Sequence, residues 1–363
     1  ATPLREIKCN FIAERDAAVL RGIRTLAKIN DLPAATFWMR NPGSVGILPA
    51  SGRASTTQQP AGKMPALPGQ RTTPPTSSPS GLSAKKQIEQ FVAKMKELNP
   101  QWDGEVKHVA EGNKVVELEF STVGVESILP VQAMRKLQKL VCTGPLNAAG
   151  DPTGTKGQLA DLSPLKGLPL ENLRCCNNPI SDLSPLQGSP LKNLRCQSTL
   201  VSDLSPLRAI PLNSLICGGS PVLDLTPLKG MKLSLLRVHA TKVTDLTPLA
   251  GMPLRTFACS YTAVVDLTPL ASMRLEVLGF KFSQVKDITP LKGMPLRELD
   301  FNKSKVTDLS VLKGMPLQKL FCDFKPDRDT KLLRSIKTLE TINGLPAKEF
   351  WKRVDTGEAP QAK

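Results

Sequence analysis

The sequence has little of what most catalytic and membrane functions require. Its 363 residues include two histidines, one tyrosine and three tryptophans, and aromatic residues make up only 4% of the chain. Two imidazoles leave little material for histidine-based catalysis or for a zinc site. No stretch approaches eighteen consecutive apolar residues. We therefore expect no membrane-spanning segment and no imidazole chemistry.

Catalytic signatures are also missing. The sequence contains no kinase Gly-x-Gly-x-x-Gly, His-Arg-Asp or Asp-Phe-Gly motif, and no Cys-x-x-Cys pair. His239 and Ser260 are predicted to lie in one column of neighbouring strands, but neither repeat offers an outward carboxylate to orient the imidazole. We therefore expect no enzymatic activity, no cofactor and no metal.

What the chain does contain is a repeat of 21 residues. Leu-x-x-Leu-x-Cys begins nine residues after each repeated aspartate, as in Leu191, Leu194 and Cys196. Two further repeats precede this series, at 115–120 and 137–142, and an insertion at 146–157 follows them. An array of ten repeats therefore spans 115–322. The aspartates, each opening Asp-Leu-Ser/Thr-Pro-Leu or a near variant, are Asp161, Asp182, Asp203, Asp224, Asp245, Asp266, Asp287 and Asp308.

Each half of the repeat predicts a local structure. Leu-x-x-Leu-x-Cys points apolar side chains inward at period two, which indicates a short strand. Serine or threonine followed by proline is typical of a helix N-cap and first turn, so we expect a short helical turn on the opposite side. One repeat cannot bury its apolar side alone, whereas stacked repeats form a continuous core.

This pattern resembles the leucine-rich repeat family, and its Asp-Leu-Ser-Pro-Leu form is similar to the repeats of bacterial internalins. The Gly-Met-Pro-Leu variety at 251–254, 293–296 and 314–317 is similar to arrays that accompany bacterial serine/threonine protein kinases. The resemblance implies an α/β solenoid of about ten parallel strands, with short helical turns on the convex side and helical caps. The family's asparagine position holds Asn178 once and hydroxyl residues afterwards, which can still bond buried backbone groups.

Both ends of the array carry candidate caps. Residues 83–114 predict an N-terminal cap, with a helix from Ser83 that stops at Pro100, followed by a hairpin strand. Residues 323–354 predict a C-terminal cap, in which a helical stripe runs from Leu332 to Ile342 and Phe350 and Trp351 follow as a second anchor. The tail at 355–363 is predicted to be disordered.

The N-terminal region repeats the second cap. Residues 3–38 align with 316–351 at an offset of 313 without gaps, and 18 of the 36 positions are identical. We expect residues 1–40 to be a duplicated cap fragment left by truncation of a tandem-array protein, or else a leftover partial duplication in a complete chain. Residues 41–82, rich in proline, serine and threonine, predict a disordered linker.

Six of the eight cysteines share one inward position of the repeat, and Cys9 holds its equivalent in the cap copy. Valine or phenylalanine replaces them elsewhere, so the position needs a small or medium apolar group. We expect free, buried thiols and a cytoplasmic location. Disulfides between neighbouring repeats are the alternative, although parallel side chains would strain them.

The formal net charge of +16 favours an acidic partner. The basic residues are spread along the chain without a basic run or interleaved aromatics, which makes nucleic acid an unlikely ligand. We expect a monomer that binds a protein ligand carrying an acidic patch.

The outward strand positions predict a binding surface on the concave face. Exposed aromatics beside arginine are the composition of interface hot spots. The alternative is that Phe282 and Phe324 fold back onto the edge of the solenoid. One predicted column carries Arg174, Arg195, Ile216 and Arg237. The positions two before the asparagine site are predicted to hold His239, Tyr261, Lys281 and Phe282, with Phe321 and Phe324 at the C-terminal end.

We therefore predict a non-enzymatic protein–protein interaction module. The alternative is the regulatory or sensor region of a larger bacterial serine/threonine kinase, with the catalytic domain outside this chain and a role in signalling. A scaffold without a dedicated ligand is a third possibility, and it predicts no clustering of residue types on the concave face.

Overall fold

The computed structural model describes residues 82–147, 153–358 and 360, together with the backbone of three short strands near the N-terminus. Those strands are β1 (Glu6–Ile7), β2 (Lys28–Ile29) and β3 (Leu32–Pro33). Apart from them and Leu82, the predictions for the cap copy at 1–40, for the linker at 41–82 and for Cys9 lie outside the described residues, as do residues 359 and 361–363 of the predicted tail.

The array begins with helix α1 (Ala84–Leu98). The Ser83 side chain accepts a hydrogen bond from the backbone N–H of Lys86, at 3.4 Å, and so caps the first turn as predicted. The helix ends two residues before Pro100. Its buried residues are Ile88, Phe91 and Met95, which join Trp102 and Phe120 in the core.

A single sheet of thirteen strands follows. Eleven consecutive strands are parallel, and one antiparallel strand closes each end. The strands are β4 (Lys107–Glu111), β5 (Lys114–Ser121), β6 (Lys139–Thr143), β7 (Asn172–Arg174), β8 (Asn193–Arg195), β9 (Ser214–Ile216), β10 (Leu235–Arg237), β11 (Thr256–Ala258), β12 (Val277–Gly279), β13 (Glu298–Asp300), β14 (Lys319–Phe321), β15 (Thr341–Ile342) and β16 (Leu345–Pro346).

Register follows the 21-residue period. Leu236 of β10 pairs with Leu215 on one side and with Phe257 on the other. Equivalent residues therefore stack in columns, with inward leucines and cysteines buried along the array. The resulting core is continuous, as expected when each repeat covers its neighbours.

The side opposite the strands carries 3-10 turns, each over Ser/Thr-Pro-Leu except the first, Leu129–Ala133, and the last, Ser310–Leu312. The serine or threonine is not the N-cap that was predicted, because the preceding leucine or isoleucine holds that place and caps with no side-chain bond. The repeated aspartate caps the turn instead. Its Oδ1 accepts the N–H of the residue two positions later, at 2.7–2.8 Å, in all eight repeats.

These bonds should make the array sensitive to acid. Hydroxyl and backbone bonds from Thr247 lower the pKa of Asp245, and the pKa values of Asp224 and Asp266 are lowered in the same way. A folded pKa below the unfolded value stabilises the protein above the unfolded pKa of about 4, and this stabilisation disappears as pH falls through the folded pKa. Replacing all three with asparagine should lower the melting temperature at pH 7 and remove the difference from wild type near pH 2.

Thermal melts followed by circular dichroism at pH 7, 4 and 2 check this prediction. Glu111→Gln is the control, because Glu111 is exposed and forms no side-chain bond with a described residue. A deficit of the triple variant that stays constant down to pH 2 would contradict it.

The asparagine position forms a buried polar column beside the strands. Asn178 donates through Nδ2 to the carbonyl oxygen of Cys142, at 2.9 Å, and accepts from the Thr122 hydroxyl, at 2.6 Å. Thr199 replaces it in the next repeat and donates to the carbonyl of Cys196, at 2.8 Å. The prediction that hydroxyls can satisfy these buried groups is confirmed.

Asn177 holds both ends of the insertion. Its Nδ2 donates to the carbonyl oxygens of Pro145 and Thr155, at 2.9 and 2.7 Å. Its own carbonyl accepts the N–H of Gly157, at 2.9 Å. The chain therefore leaves and rejoins the array at one point, so the repeats on either side keep their stacking.

The C-terminal cap differs from the prediction in one respect. The helix α2 (Pro326–Ser335) ends before Ile342, which lies in β15 and extends the parallel sheet by one strand. Asn343 and Gly344 both have positive φ, as a two-residue hairpin turn into β16 requires. Helix α3 (Ala347–Asp355) then buries Phe350, as predicted for the second anchor.

The N-terminal strands reproduce the pairing of this cap. β1 pairs with β2 in parallel and β2 with β3 antiparallel, with Glu6 opposite Lys28 and Lys28 opposite Pro33. Residues 313 positions later show the same register, with Lys319 opposite Thr341 and Thr341 opposite Pro346. The backbone pairing thus repeats along with the sequence.

None of the helices in the described part of the chain is long and apolar enough to cross a bilayer.

Candidate functional site

The solvent-facing side of the parallel sheet, termed the strand face, brings together most of the predicted site residues. Arg174, Arg195, Ile216 and Arg237 are consecutive partners across β7 to β10, as the predicted column requires. The arginines retain solvent exposure, whereas Ile216 is only 4% exposed. The column therefore presents guanidinium groups at three of its four positions.

Pairs of lysine and glutamate lie near both ends of this face. Near the first strands Glu117 bonds Lys139 at 2.7 Å, and near the last strands Glu298 approaches Lys319 at 3.7 Å. By contrast, the guanidinium groups of three arginines form no ion pair or hydrogen bond with any residue that the structure describes. These are Arg174, Arg195 and Arg237.

His239 lies on the same face, over the backbone of the preceding repeat. A Cβ built on Gly218 would lie 2.2–2.4 Å from the imidazole ring atoms of His239. The ring therefore occupies the space that a side chain at Gly218 would need. Ser260 follows His239 in this column, and the outward positions of β10 and β11 hold no carboxylate.

Tyr261 and Phe282 do not share the column of His239 and Lys281, so that assignment is wrong. They come one residue later, immediately before the asparagine position, where the chain turns inward with φ of 57° and 53°. This left-handed conformation is sterically unfavourable for bulky side chains, at a cost of about 1 kcal/mol. The corresponding residues of three preceding repeats are Ser198, Gly219 and Ala240.

The two rings nevertheless form an exposed stack. Their centroids are 4.7 Å apart with an interplanar angle of 14°. Tyr261 is 49% exposed and Phe282 46%. The Lys281 ammonium lies 5.4 Å from the centre of the Tyr261 ring, within range of a cation–π contact. Phe282 therefore does not fold back onto the solenoid edge.

Phe324 does fold back, which agrees with the alternative weighed for it. It is 2% exposed and packs edge-to-face against Phe350 and Trp351 of the C-terminal cap. Phe321 remains half-buried in β14. Among the residues that the structure describes, the exposed aromatic surface is thus confined to the Tyr261–Phe282 stack.

Sequence reasoning missed two polar residues beside this stack. Asp300 is half-buried, and burial raises the pKa of its carboxyl group. Asn302 is 6% exposed, and its Oδ1 has no hydrogen-bond partner among the described residues. The register that placed Arg237 and Lys281 would have placed both residues too, because they occupy the same two columns three repeats and one repeat later.

The described cysteines are buried free thiols, as predicted, and none of them forms a disulfide. Burial raises the pKa of both Cys217 and Cys259 to about 12, so these thiols stay protonated at neutral pH. Within residues 82–147, 153–358 and 360, no three histidine, cysteine, aspartate or glutamate side chains come together in a way that could hold a metal ion.

Comparison with known proteins adds a likeness of fold. No family model matches the chain, and no curated protein matches it. An internalin (InlF) from Listeria monocytogenes is 23% identical, with 70% of this chain and 90% of that chain covered and a TM-score of 0.48. Internalin C2 from the same organism is 21% identical, with 69% and 91% covered and a TM-score of 0.41.

A plant protein gives a similar match. The leucine-rich-repeat ectodomain of a membrane receptor kinase from Arabidopsis thaliana, solved in complex with CASPARIAN STRIP INTEGRITY FACTOR 2, is 15% identical. The match covers 70% of this chain and 32% of that chain, with a TM-score of 0.47. With its own 21-residue strand register and 3-10 turns, the chain is a leucine-rich-repeat solenoid. The predicted association with a serine/threonine kinase stays a prediction.

Proposed function

We propose that this solenoid is a non-enzymatic protein-interaction module that binds an acidic protein ligand on the strand face, the side predicted to be concave. The observation that carries the proposal is the set of three arginines without acidic partners among the described residues, on a face where Glu117 and Glu298 are paired with lysines. The proposed contact residues are Arg174, Arg195, Arg237, His239, Tyr261, Lys281 and Phe282.

Electrostatic complementarity explains why unpaired arginines favour this function. An arginine already bonded to a carboxylate must lose that bond before it can bind a ligand, whereas Arg195 and Arg237 lose none. Their like charges also repel one another, so an acidic ligand would relieve the repulsion. Such a surface steers acidic partners and weakens as salt rises.

The Tyr261–Phe282 stack supplies the apolar part of the proposed interface. Tyrosine and arginine are enriched among the residues that carry most binding energy. Both aromatic residues occupy a backbone conformation that glycine or asparagine would adopt at lower cost. Keeping two exposed aromatic side chains in this conformation favours a binding role for them.

The proposal also takes the module to be a monomer that works in the cytoplasm. Buried, unbridged thiols fit a reducing compartment.

Affinity capture from a cell lysate tests the proposal. The full chain is immobilised as wild type, Arg237→Glu and Tyr261→Ala, and the bound proteins are identified by mass spectrometry. We expect a set of acidic proteins that wild type retains and that both variants lose by at least tenfold. Raising the salt from 0.1 to 0.5 M should reduce their capture further.

Arg274→Glu is the matched control, because Arg274 is exposed between the turn at Thr268–Leu270 and β12, and forms no ion pair with a described residue. This variant should capture the same proteins as wild type. Equal capture by all folded variants, or a loss found only with Arg274→Glu, would remove the proposed site.

A further inference from the structure

A pocket on the strand face lies within the first half of the array, with a volume of about 230 Å³. Two columns form it. One column runs through Lys139, Asn172, Asn193 and Ser214, and the other contains Arg174 and Arg195. Neighbouring strands in a sheet are about 4.8 Å apart, so the first column spans about 14 Å, and Arg174 and Arg195 are direct neighbours in the second.

The polar side chains that line this pocket offer more hydrogen-bond donors than acceptors. Lys139 is paired with Glu117, at 2.7 Å. The Asn193 amide donates to Oδ1 of Asn172, at 2.6 Å. The Nδ2 donors of Asn172 have no hydrogen-bond partner among the described residues. No aspartate or glutamate is among the residues that line the pocket. Two guanidinium groups therefore share it without a counter-charge from the lining.

Arg174 is poorly satisfied in its present conformation. Its Nε is buried and has no hydrogen-bond partner among the described residues. An unsatisfied buried donor costs about 1–3 kcal/mol. Since no bond holds the guanidinium, turning it toward the pocket sacrifices no hydrogen bond. An oxygen-bearing anion placed there would satisfy this donor and screen the charge of Arg195.

We infer that this pocket binds an oxyanion, a carboxylate or phosphate group, held between Arg174 and Arg195. The planar guanidinium fork matches both anions with paired hydrogen bonds. The inference deepens the proposed function and rests on it only for the ligand that carries the anion. It places the acidic group of the ligand at β7 and β8, with the Tyr261–Phe282 stack three repeats further along the face.

Titration with small anions tests the pocket directly. Arginine Nε–H signals of the ¹⁵N-labelled full chain are followed by NMR, with inorganic phosphate and acetate as probes and chloride at matched ionic strength as the reference. We expect saturable shifts of the Arg174 and Arg195 signals with phosphate or acetate. Arg195→Gln should weaken the binding at least tenfold, whereas Arg274→Gln, outside the pocket and outside the proposed contact surface, should leave it within twofold of wild type.

The two probes separate the two sources of the anion. Tighter binding of phosphate indicates a phosphorylated ligand, and binding of acetate with similar strength indicates an aspartate, a glutamate or a chain terminus. Shifts that chloride reproduces, or that Arg195→Gln leaves unchanged, would overturn the inference. Because this titration requires no protein ligand, anion binding can be detected even if capture from lysate fails. Capture without anion binding would support the proposed function and contradict the pocket.

Discussion

Replacing Asn178 with alanine is expected to destabilise the protein by about 3 kcal/mol. Asn178 is 1% exposed, and its Nδ2 donates to three backbone carbonyls while its Oδ1 accepts the Thr122 hydroxyl at 2.6 Å. Alanine would leave the carbonyl of Cys142 and the hydroxyl of Thr122 buried without these partners. Each such orphaned group costs about 1–3 kcal/mol. Urea unfolding followed by circular dichroism measures the change.

Asn178→Thr is the matched control, since Thr199 fills the equivalent position one repeat later and bonds the carbonyl three residues before it, at 2.8 Å. The threonine variant should lose less than half as much stability as the alanine variant. If alanine costs below about 1 kcal/mol, water or a backbone shift is satisfying the freed groups, and the importance assigned to this amide is wrong.

Replacing Asp329 with alanine should cost about 3 kcal/mol, with the loss concentrated at the C-terminal end of the array. Asp329 is 1% exposed and accepts the N–H of Lys325 and the Nη2 of Arg328, both at 2.8 Å. Removing it leaves a cation and the first turn of α2 without their acceptor. In a repeat array each unit is stabilised mainly by its neighbours, so the adjoining strand β14 should open first.

Hydrogen exchange read residue by residue checks the location of the effect. Protection of the β14 amides should fall strongly in Asp329→Ala, while the β8 amides keep theirs. Asp327→Ala is the control, because Asp327 lies exposed in the same turn and forms no side-chain bond with a described residue. Uniform loss of protection along the whole array would show that the cap does not act locally.

Much of this fold is readable from spacing alone. A repeat that returns every 21 residues must place equivalent residues side by side, and alternation around the second leucine decides which of them point inward. The positions of the arginine column and of the buried cysteines follow from that arithmetic. Local chemistry was harder to assign. Ser/Thr-Pro suits a capping role, but Asp245 and its equivalents reach the turn N–H first, because a carboxylate two residues earlier is the stronger acceptor.

The sequence by itself determined the period, the number of central strands, the inward column and the composition of the strand face. Only the tertiary structure decided what each outward side chain does. Tyr261 and Phe282 form a solvent-exposed stack because their backbone is left-handed where the repeat turns inward. Neither residue type predicts a left-handed backbone. Phe324, three repeats after Tyr261 in the same position, does not have this left-handed backbone and packs into the C-terminal cap against aromatic side chains of α3. Whether a charge is neutralised depends on which side chains meet across strands, and that meeting leaves Arg174, Arg195 and Arg237 without an acidic partner on the described face.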